Sequence, residues 1–161
     1  MTILRRFIED ESGSSIVETA LSLTLLLMTI LGVVYFAEAL YTYQFVSFAA
    51  QQGTRYAIVR GGSWGSAVCT STTTLECNAT AVDITNYVRS LTPPGMNASN
   101  LVVSAIWPGV AINGSTAGCT TVNSQGCLVK VQASYPFALV TPFLSSASLT
   151  FTGRSEEAIQ H

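Results

Sequence analysis

Charged side chains and histidine are scarce in this chain of 161 residues. Lys, Arg, Asp and Glu make up 10% of it, the formal net charge is −2, and the one histidine is His161. Because nucleic acids are bound through clustered Lys and Arg, we expect no nucleic-acid partner. In a soluble protein about a quarter of all residues are usually charged. The composition therefore indicates a membrane protein, a subunit of a polymer, or both.

The usual components of a catalytic site are few. Without an internal histidine, general-base chemistry would depend on sparse carboxylates, and a predicted loop and helix start separate Glu76 from Asp83. The segment Ser63-Trp64-Gly65 is not a nucleophile elbow, and the chain has no Gly-rich phosphate loop. The sequence therefore predicts neither an enzyme nor a cofactor.

The chain is rich in apolar residues near its amino terminus. A run from Ile16 to Ala37 contains one charged residue, Glu18. As a helix with a rise of about 1.5 Å per residue it spans about 33 Å, enough to cross a bilayer core of about 30 Å. Its Ser and Thr hydroxyls can bond to carbonyls one turn earlier. We therefore predict one membrane-spanning helix over residues 16–37.

The residues flanking this run predict its orientation. Arg5 and Arg6 precede it, so the amino terminus should stay cytoplasmic and the residues beyond about 40 should be translocated. In an alternative, a signal peptidase would cut after Ala37-Glu38-Ala39 and release a soluble protein that begins at Leu40. The core of such a signal is usually about 7 to 15 residues long, and the longer run here favours a retained anchor.

The start of the run resembles the processing site of type IV prepilins. Residues 1–13 would form a short leader, Gly13 would precede the cut, Ser14 would become the new amino terminus, and Glu18 would be the fifth mature residue. The later segment FAAQQGTRYA, residues 48–57, is similar to the helix-exit pattern of TadE-like minor pilins of the tight-adherence (Tad) pilus.

This resemblance implies a function and partners. A prepilin peptidase would cleave after Gly13, the bacterial inner membrane would hold the helix, and other pilin subunits and the pilus assembly machinery would bind it. In the family the fifth-position Glu neutralises a neighbouring subunit's amino terminus, a role that would fall to Glu18; such opposite charges attract strongly in low dielectric. Thr19 stands where major pilins usually carry Tyr, and the chain is longer than theirs, so a minor pilin or pseudopilin is implied. The alternative is a secreted or membrane-anchored extracytoplasmic binding domain.

Beyond the membrane the helix should continue to Arg60, so that residues 14–60 form one long helix. Its predicted core stripe consists of Tyr41, Phe45, Phe48, Tyr56 and Val59, with Gln44, Ser47, Gln51 and Thr54 on the opposite side. Gly53 is a place where it could bend, and Gly61-Gly62 should stop it.

Residues 61–161 are predicted to form a globular α+β domain. Thr80 and Asp83 resemble a capping box for a short helix that Pro93-Pro94-Gly95 end. Three stretches of alternating apolar residues then predict a small antiparallel sheet packed on the long helix; their apolar positions are Leu101, Val103, Ala105 and Trp107, then Cys127, Val129, Val131 and Ala133, then Leu149 and Phe151.

The four cysteines are regularly spaced, with seven residues between Cys69 and Cys77 and seven between Cys119 and Cys127. This spacing does not suit a zinc site, and a translocated domain should contain disulfides. Of the three possible pairings we favour the two local ones, because each would join the ends of a Gly/Ser/Thr-rich loop. Three Asn-x-Ser/Thr sequons, at Asn78, Asn97 and Asn113, are more simply explained by the Ser- and Thr-rich composition.

Overall fold

A computed structural model describes residues 11–62, 64, 67–68, 77–120, 123–139 and 147–160. The chain divides into two compact units, Met1–Leu40 and Tyr41–His161, which we call the first and second units. The elements in chain order are helix α1 (Glu11–Val59), strands β1 (Ala67–Val68) and β2 (Cys77–Asn78), helix α2 (Ala81–Ser90), a 3-10 helix (Ala98–Asn100), and strands β3 (Val102–Ile106), β4 (Leu128–Leu139) and β5 (Ala147–Ala158).

The predicted α+β fold with a long amino-terminal helix and a small antiparallel sheet is confirmed. The sheet has the strand order β3-β4-β5, and both neighbouring pairs are antiparallel. Val131 lies at its centre, opposite Ala105 on one side and Ser155 on the other. Strands β1 and β2 form a separate two-residue parallel pair.

The core of the second unit lies between one face of the sheet and the two helices. The predicted alternation is present in β4, where Val129, Val131 and Ala133 are buried and the intervening residues are only partly covered. The sheet and its flanks contribute Leu101, Val129, Val131, Ala133 and Ile159, α2 contributes Ile84 and Val88, and α1 contributes Phe45, Val46, Ala49, Ala50, Ala57 and Ile58.

Helix α2 begins and ends where the sequence predicts. The Thr80 hydroxyl accepts a hydrogen bond from the Asp83 amide at 3.3 Å, and the Asp83 carboxylate accepts one from the Thr80 amide at 3.0 Å. This reciprocal capping box satisfies two amides that the first turn leaves without helical partners. Leu91 is the C-cap residue, directly before Thr92 and the two prolines.

The predicted core stripe of α1 is partly wrong. Phe45 is buried, but Tyr41, Phe48 and Val59 are 50%, 47% and 41% exposed, and Thr54, assigned to the polar side, is fully buried. The buried face consists mainly of small residues because the sheet and α2 approach the helix closely. Phe45 is the aromatic residue of the stripe that is buried, whereas Tyr41 and Phe48 lie at the margin of the core.

Candidate membrane anchor and processing site

The residues of the predicted processing site lie on helical backbone. Helix α1 begins at Glu11, so Gly13 and Ser14 belong to its first turns, and both are exposed. A methyl group added at Gly13 would have no neighbouring atom within 4 Å. Most of the predicted leader, residues 1–10, lies outside the described residues. A cut between Gly13 and Ser14 would therefore fall inside a helical turn that the described residues leave open.

Glu18 lies one turn further along and is also exposed. Glu18 has no cationic partner among the described residues. A carboxylate at the end of an apolar helix costs least when solvent or an opposite charge reaches it. The Glu18 carboxylate is therefore available to form an ion pair with a positively charged group of another molecule.

The three threonine hydroxyls of the apolar run are satisfied within the helix, as predicted. The Thr19 hydroxyl lies 3.0 Å from the Ser15 carbonyl oxygen and 2.9 Å from that of Ile16. Thr24 donates to the Ala20 carbonyl at 2.8 Å, and Thr29 donates to the Leu26 carbonyl at 2.8 Å. These bonds lower the cost of placing polar side chains in an apolar solvent.

The rest of the run presents apolar side chains on all sides. The large aliphatic side chains from Ile16 to Val34 are between 45% and 69% exposed. By length and composition α1 could cross a membrane, and it is the one such helix among the described residues. None of its most apolar stretch is buried within the protein, so it is not the core helix of a soluble fold.

The described cysteines are all oxidised. Cys119 and Cys127 form a disulfide with a Cα–Cα distance of 5.6 Å, which closes the loop between β3 and β4. Cys77 is also disulfide-bonded. Its predicted partner, Cys69, lies outside the described residues. Disulfides form in oxidising compartments, so this state suits a translocated second unit.

Two glycines allow the close packing of the second unit, and the sequence analysis missed one of them. A methyl group at Gly153 in β5 would lie 2.5 Å from the Val46 carbonyl oxygen, so the strand touches the backbone of α1 here. At Gly53 in α1 it would lie 2.9 Å from methyl groups of Val131 and Val88. Gly53 thus permits close packing within an uninterrupted helix. A glycine inside a strand pattern is a signal of such an approach, and it could have identified Gly153.

A second missed residue is Asn123, which joins three segments. It has a φ of 66° and is 6% exposed. Its amide nitrogen donates to the Ala79 carbonyl at 2.8 Å, and its backbone carbonyl accepts from the Gly62 amide at 2.7 Å. Asparagine tolerates this left-handed conformation better than most residues. Asn123 therefore fixes the end of α1 against β2 and the loop that precedes β4.

The described residues thus combine one exposed apolar helix, long enough to cross a membrane, with a compact α+β unit whose described cysteines are oxidised. Residues 13–55 match the family model described as TadE-like protein, which confirms the resemblance drawn from the sequence over those residues. That family is structural and not enzymatic, and the match is consistent with a pilin-like protein associated with the Tad pilus. No curated protein and no solved structure matches the chain significantly.

Proposed function

We propose that this protein is a minor pilin or pseudopilin that assembles by helix–helix packing into, or at the tip of, a tight-adherence pilus or a related secretion filament. The observation that carries the proposal is a coincidence of two features. The stretch that matches the TadE-like family, residues 13–55, includes the apolar helix that the rest of the protein leaves exposed.

The exposed side chains of α1 need an apolar environment that the chain itself does not supply. Before assembly that environment is the inner membrane, which residues 16–37 span, with the amino terminus cytoplasmic and the second unit periplasmic. In a filament it is the helices of other subunits. In both places the same side chains leave water, which accounts for a surface that would be unfavourable in a soluble monomer.

Processing and pairing complete the proposed mechanism. A prepilin peptidase removes residues 1–13, so that residues 14–60 form the mature helix and residues 61–161 the periplasmic domain. The new amino group at Ser14 carries a positive charge, and Glu18 supplies the matching negative charge to a neighbouring subunit. Its exposure and the lack of a cationic partner among the described residues support this role.

Mass spectrometry of the mature protein tests the processing step. A chain that begins at Ser14 supports the pilin. A chain that begins at Leu40 would support a secreted binding domain, and one that keeps Met1 would support an unprocessed anchor.

A Glu18→Ala variant tests the pairing step, with Ser22→Ala, one helical turn later on the same side, as its control. We expect Glu18→Ala to abolish co-assembly with pilus subunits while the protein stays in the membrane fraction. Ser22→Ala should assemble normally. Normal assembly of Glu18→Ala would contradict the role given to this carboxylate.

A further inference from the structure

The three-stranded sheet has one edge at β5 and the other at β3. The β5 edge is joined to α1, because the Thr54 hydroxyl lies 3.3 Å from the Ser155 carbonyl oxygen. The same part of β5 carries the charged residues Arg154, Glu156 and Glu157. Cover by a helix and charged side chains both keep an edge strand from pairing with another chain. Over its second half the β5 edge therefore has both protections.

The β3 edge has no charge of its own. Residues 101–107, LVVSAIW, are all uncharged, and Val102 and Ile106 are 60% and 54% exposed. The Arg89 Nε atom donates to the Leu101 carbonyl at 3.3 Å, one residue before β3 begins. Within β3 itself, no hydrogen bond joins this edge to another described residue. An uncharged, unpaired edge of this kind is a template for a further strand.

The backbone groups of Val103 and Ala105 point to the open edge. In an antiparallel pair, alternate residues of a strand bond to the neighbour and the residues between them bond outward. The Leu128 amide donates to the Val110 carbonyl at 2.8 Å, so the even-numbered residues of β4 bond toward β3. The register places these opposite the even-numbered residues of β3. The odd-numbered residues of β3 therefore present two amides and two carbonyls outward.

We infer that the β3 edge binds β3 of a second copy of this chain, in an antiparallel pair centred on Ser104. In this register Val103 of each copy exchanges two hydrogen bonds with Ala105 of the other. On the outer face of the sheet, Val102 lies opposite Ile106 of the second copy, and the two Ser104 residues face each other. Every open backbone group of β3 then has a partner, and the exposed aliphatic side chains cover one another.

The sequence of β3 favours a second copy as the occupant because the strand is nearly symmetric about Ser104. An exposed β-branched residue stands two positions to either side, and an apolar residue of the inner face stands one position to either side. Reversal of the strand therefore brings similar side chains together and opposes no like charges. Val103 and Ala105 are only partly buried, so α2 leaves this margin of the sheet accessible.

The pairing joins copies of opposite direction. Phe151 packs against Tyr43, and Gln160, just beyond β5, bonds to Ile58, so β5 runs in the same direction as this part of α1. Strand β3 is antiparallel to β4, as β5 is, and therefore shares that direction. In the pair, the parts of α1 that belong to the two second units run in opposite directions. Subunits of one filament share a single direction, so the pair would connect two separate filaments; this consequence rests on the proposed function.

The experiment traps the pair as a disulfide in the full-length protein. Two five-residue strands bury much less than the roughly 1,200 Å² of a stable interface, so the contact should be brief. The protein is kept in detergent micelles, where no shared membrane restricts the pair, and is oxidised mildly with copper phenanthroline. A non-reducing gel measures the rate of dimer formation.

Ser104→Cys is the test variant, because facing residues of an antiparallel pair have Cα atoms about 4.5 to 5.5 Å apart, a distance that a disulfide can bridge. Arg154→Cys is the matched control. Both positions are exposed, and both lie opposite Gln132 on the same face of the sheet, but Arg154 lies in the other edge strand. The described cysteines are all in disulfides and do not compete for the new thiol.

We expect Ser104→Cys to form dimers at least about tenfold faster than Arg154→Cys, because pairing raises the effective concentration of the two thiols. Val102→Lys, added to the test variant, should reduce its rate to that of the control, because it places a charge opposite an aliphatic side chain. Val82→Lys in α2, where the valine is 67% exposed, should leave the rate unchanged. Equal rates for the two cysteine variants, or a rate that Val102→Lys does not alter, would overturn the inference.

The direction of the pair is tested by Val102→Cys and Ile106→Cys. In the antiparallel pair, identical positions lie about 14 Å apart, so neither variant should cross-link with itself, whereas a mixture of the two should. Self-cross-linking of Val102→Cys at the rate of Ser104→Cys would indicate a parallel pair and refute the register. The Glu18→Ala assembly test addresses the filament separately, so failure of this inference is distinguishable from failure of the proposed function.

Discussion

The two halves of α1 have the same secondary structure but different surroundings. From Ile16 to Val34 the large aliphatic side chains are roughly half exposed on every side of the helix. In the second unit one face of the helix is buried, and its central residues, Ala49, Ala50 and Ala57, are completely inaccessible. The first half is therefore suited to an apolar solvent, and the second half is suited to a partner that the chain provides.

The difference shows which interactions stabilise each half of the helix. Keeping a Leu, Ile or Val side chain in water instead of burying it costs about 1.5 to 3 kcal/mol. The first half displays many such side chains and is stable only in lipid or among other helices. The second half gains its stability from close contact, which demands small residues on the helix and a glycine in the facing strand.

The largest expected effect tests that close contact. A Gly153→Val substitution would force side-chain atoms into the Val46 carbonyl and should lower the free energy of unfolding of the second unit by at least about 3 kcal/mol. Thermal unfolding in detergent, followed by near-UV circular dichroism, measures the loss. Thr152→Val, an exposed neighbour in the same strand, is the control and should be close to neutral. Equal stabilities of the two variants would refute the backbone contact.

The next effect tests the first half of the helix. Arginine in place of Leu27, near the centre of the apolar run, should disfavour membrane insertion by about 3 kcal/mol. The control is Val82→Arg in α2, where an aliphatic side chain is 67% exposed, compared with 51% for Leu27. Carbonate extraction of membranes should release Leu27→Arg and retain Val82→Arg. Identical retention of the two variants would contradict the membrane-spanning role of the apolar run.

A smaller effect should be confined to the second unit. Replacing Cys119 and Cys127 together by Ser removes the cross-link of a short loop and should cost about 2.5 kcal/mol. The midpoint of unfolding should fall, while the membrane-bound fraction should stay unchanged. Release of the double variant from the membrane without unfolding would show that the two units are not energetically separate.

The sequence could predict the features that depend on local pattern. A short stretch of neighbouring residues is enough to identify each of three features: the apolar run, the Thr80–Asp83 capping box and the alternation in β4. The long helix and the antiparallel sheet follow from them, and the family resemblance follows from the segments that begin at Gly13 and Phe48. Such signals need no knowledge of the partner element.

The sequence could not predict features that depend on distance between elements. Large apolar rings at helical spacing predict core positions, whereas Tyr41 and Phe48 lie at the margin of the core. The same spacing predicts Thr54 on the polar side, yet its hydroxyl lies 3.0 Å from the Ala50 carbonyl and 3.3 Å from the Ser155 carbonyl, so it can be buried. How closely β5 approaches α1 decides both outcomes, and no local pattern encodes that distance. Glu18 and the cleavage at Gly13 depend on other molecules and stay predictions.

The smallest expected effect concerns charge. Lys130 and Glu156 face each other across β4 and β5 at 3.4 Å, and each side chain is 40% exposed. Pairs this accessible to water contribute at most about 1 kcal/mol, so Lys130→Gln should change the free energy of unfolding by less than about 1 kcal/mol, and salt should reduce the difference further. A loss as large as that of Gly153→Val would mean that charge, and not close contact between strand and helix, holds the second unit together.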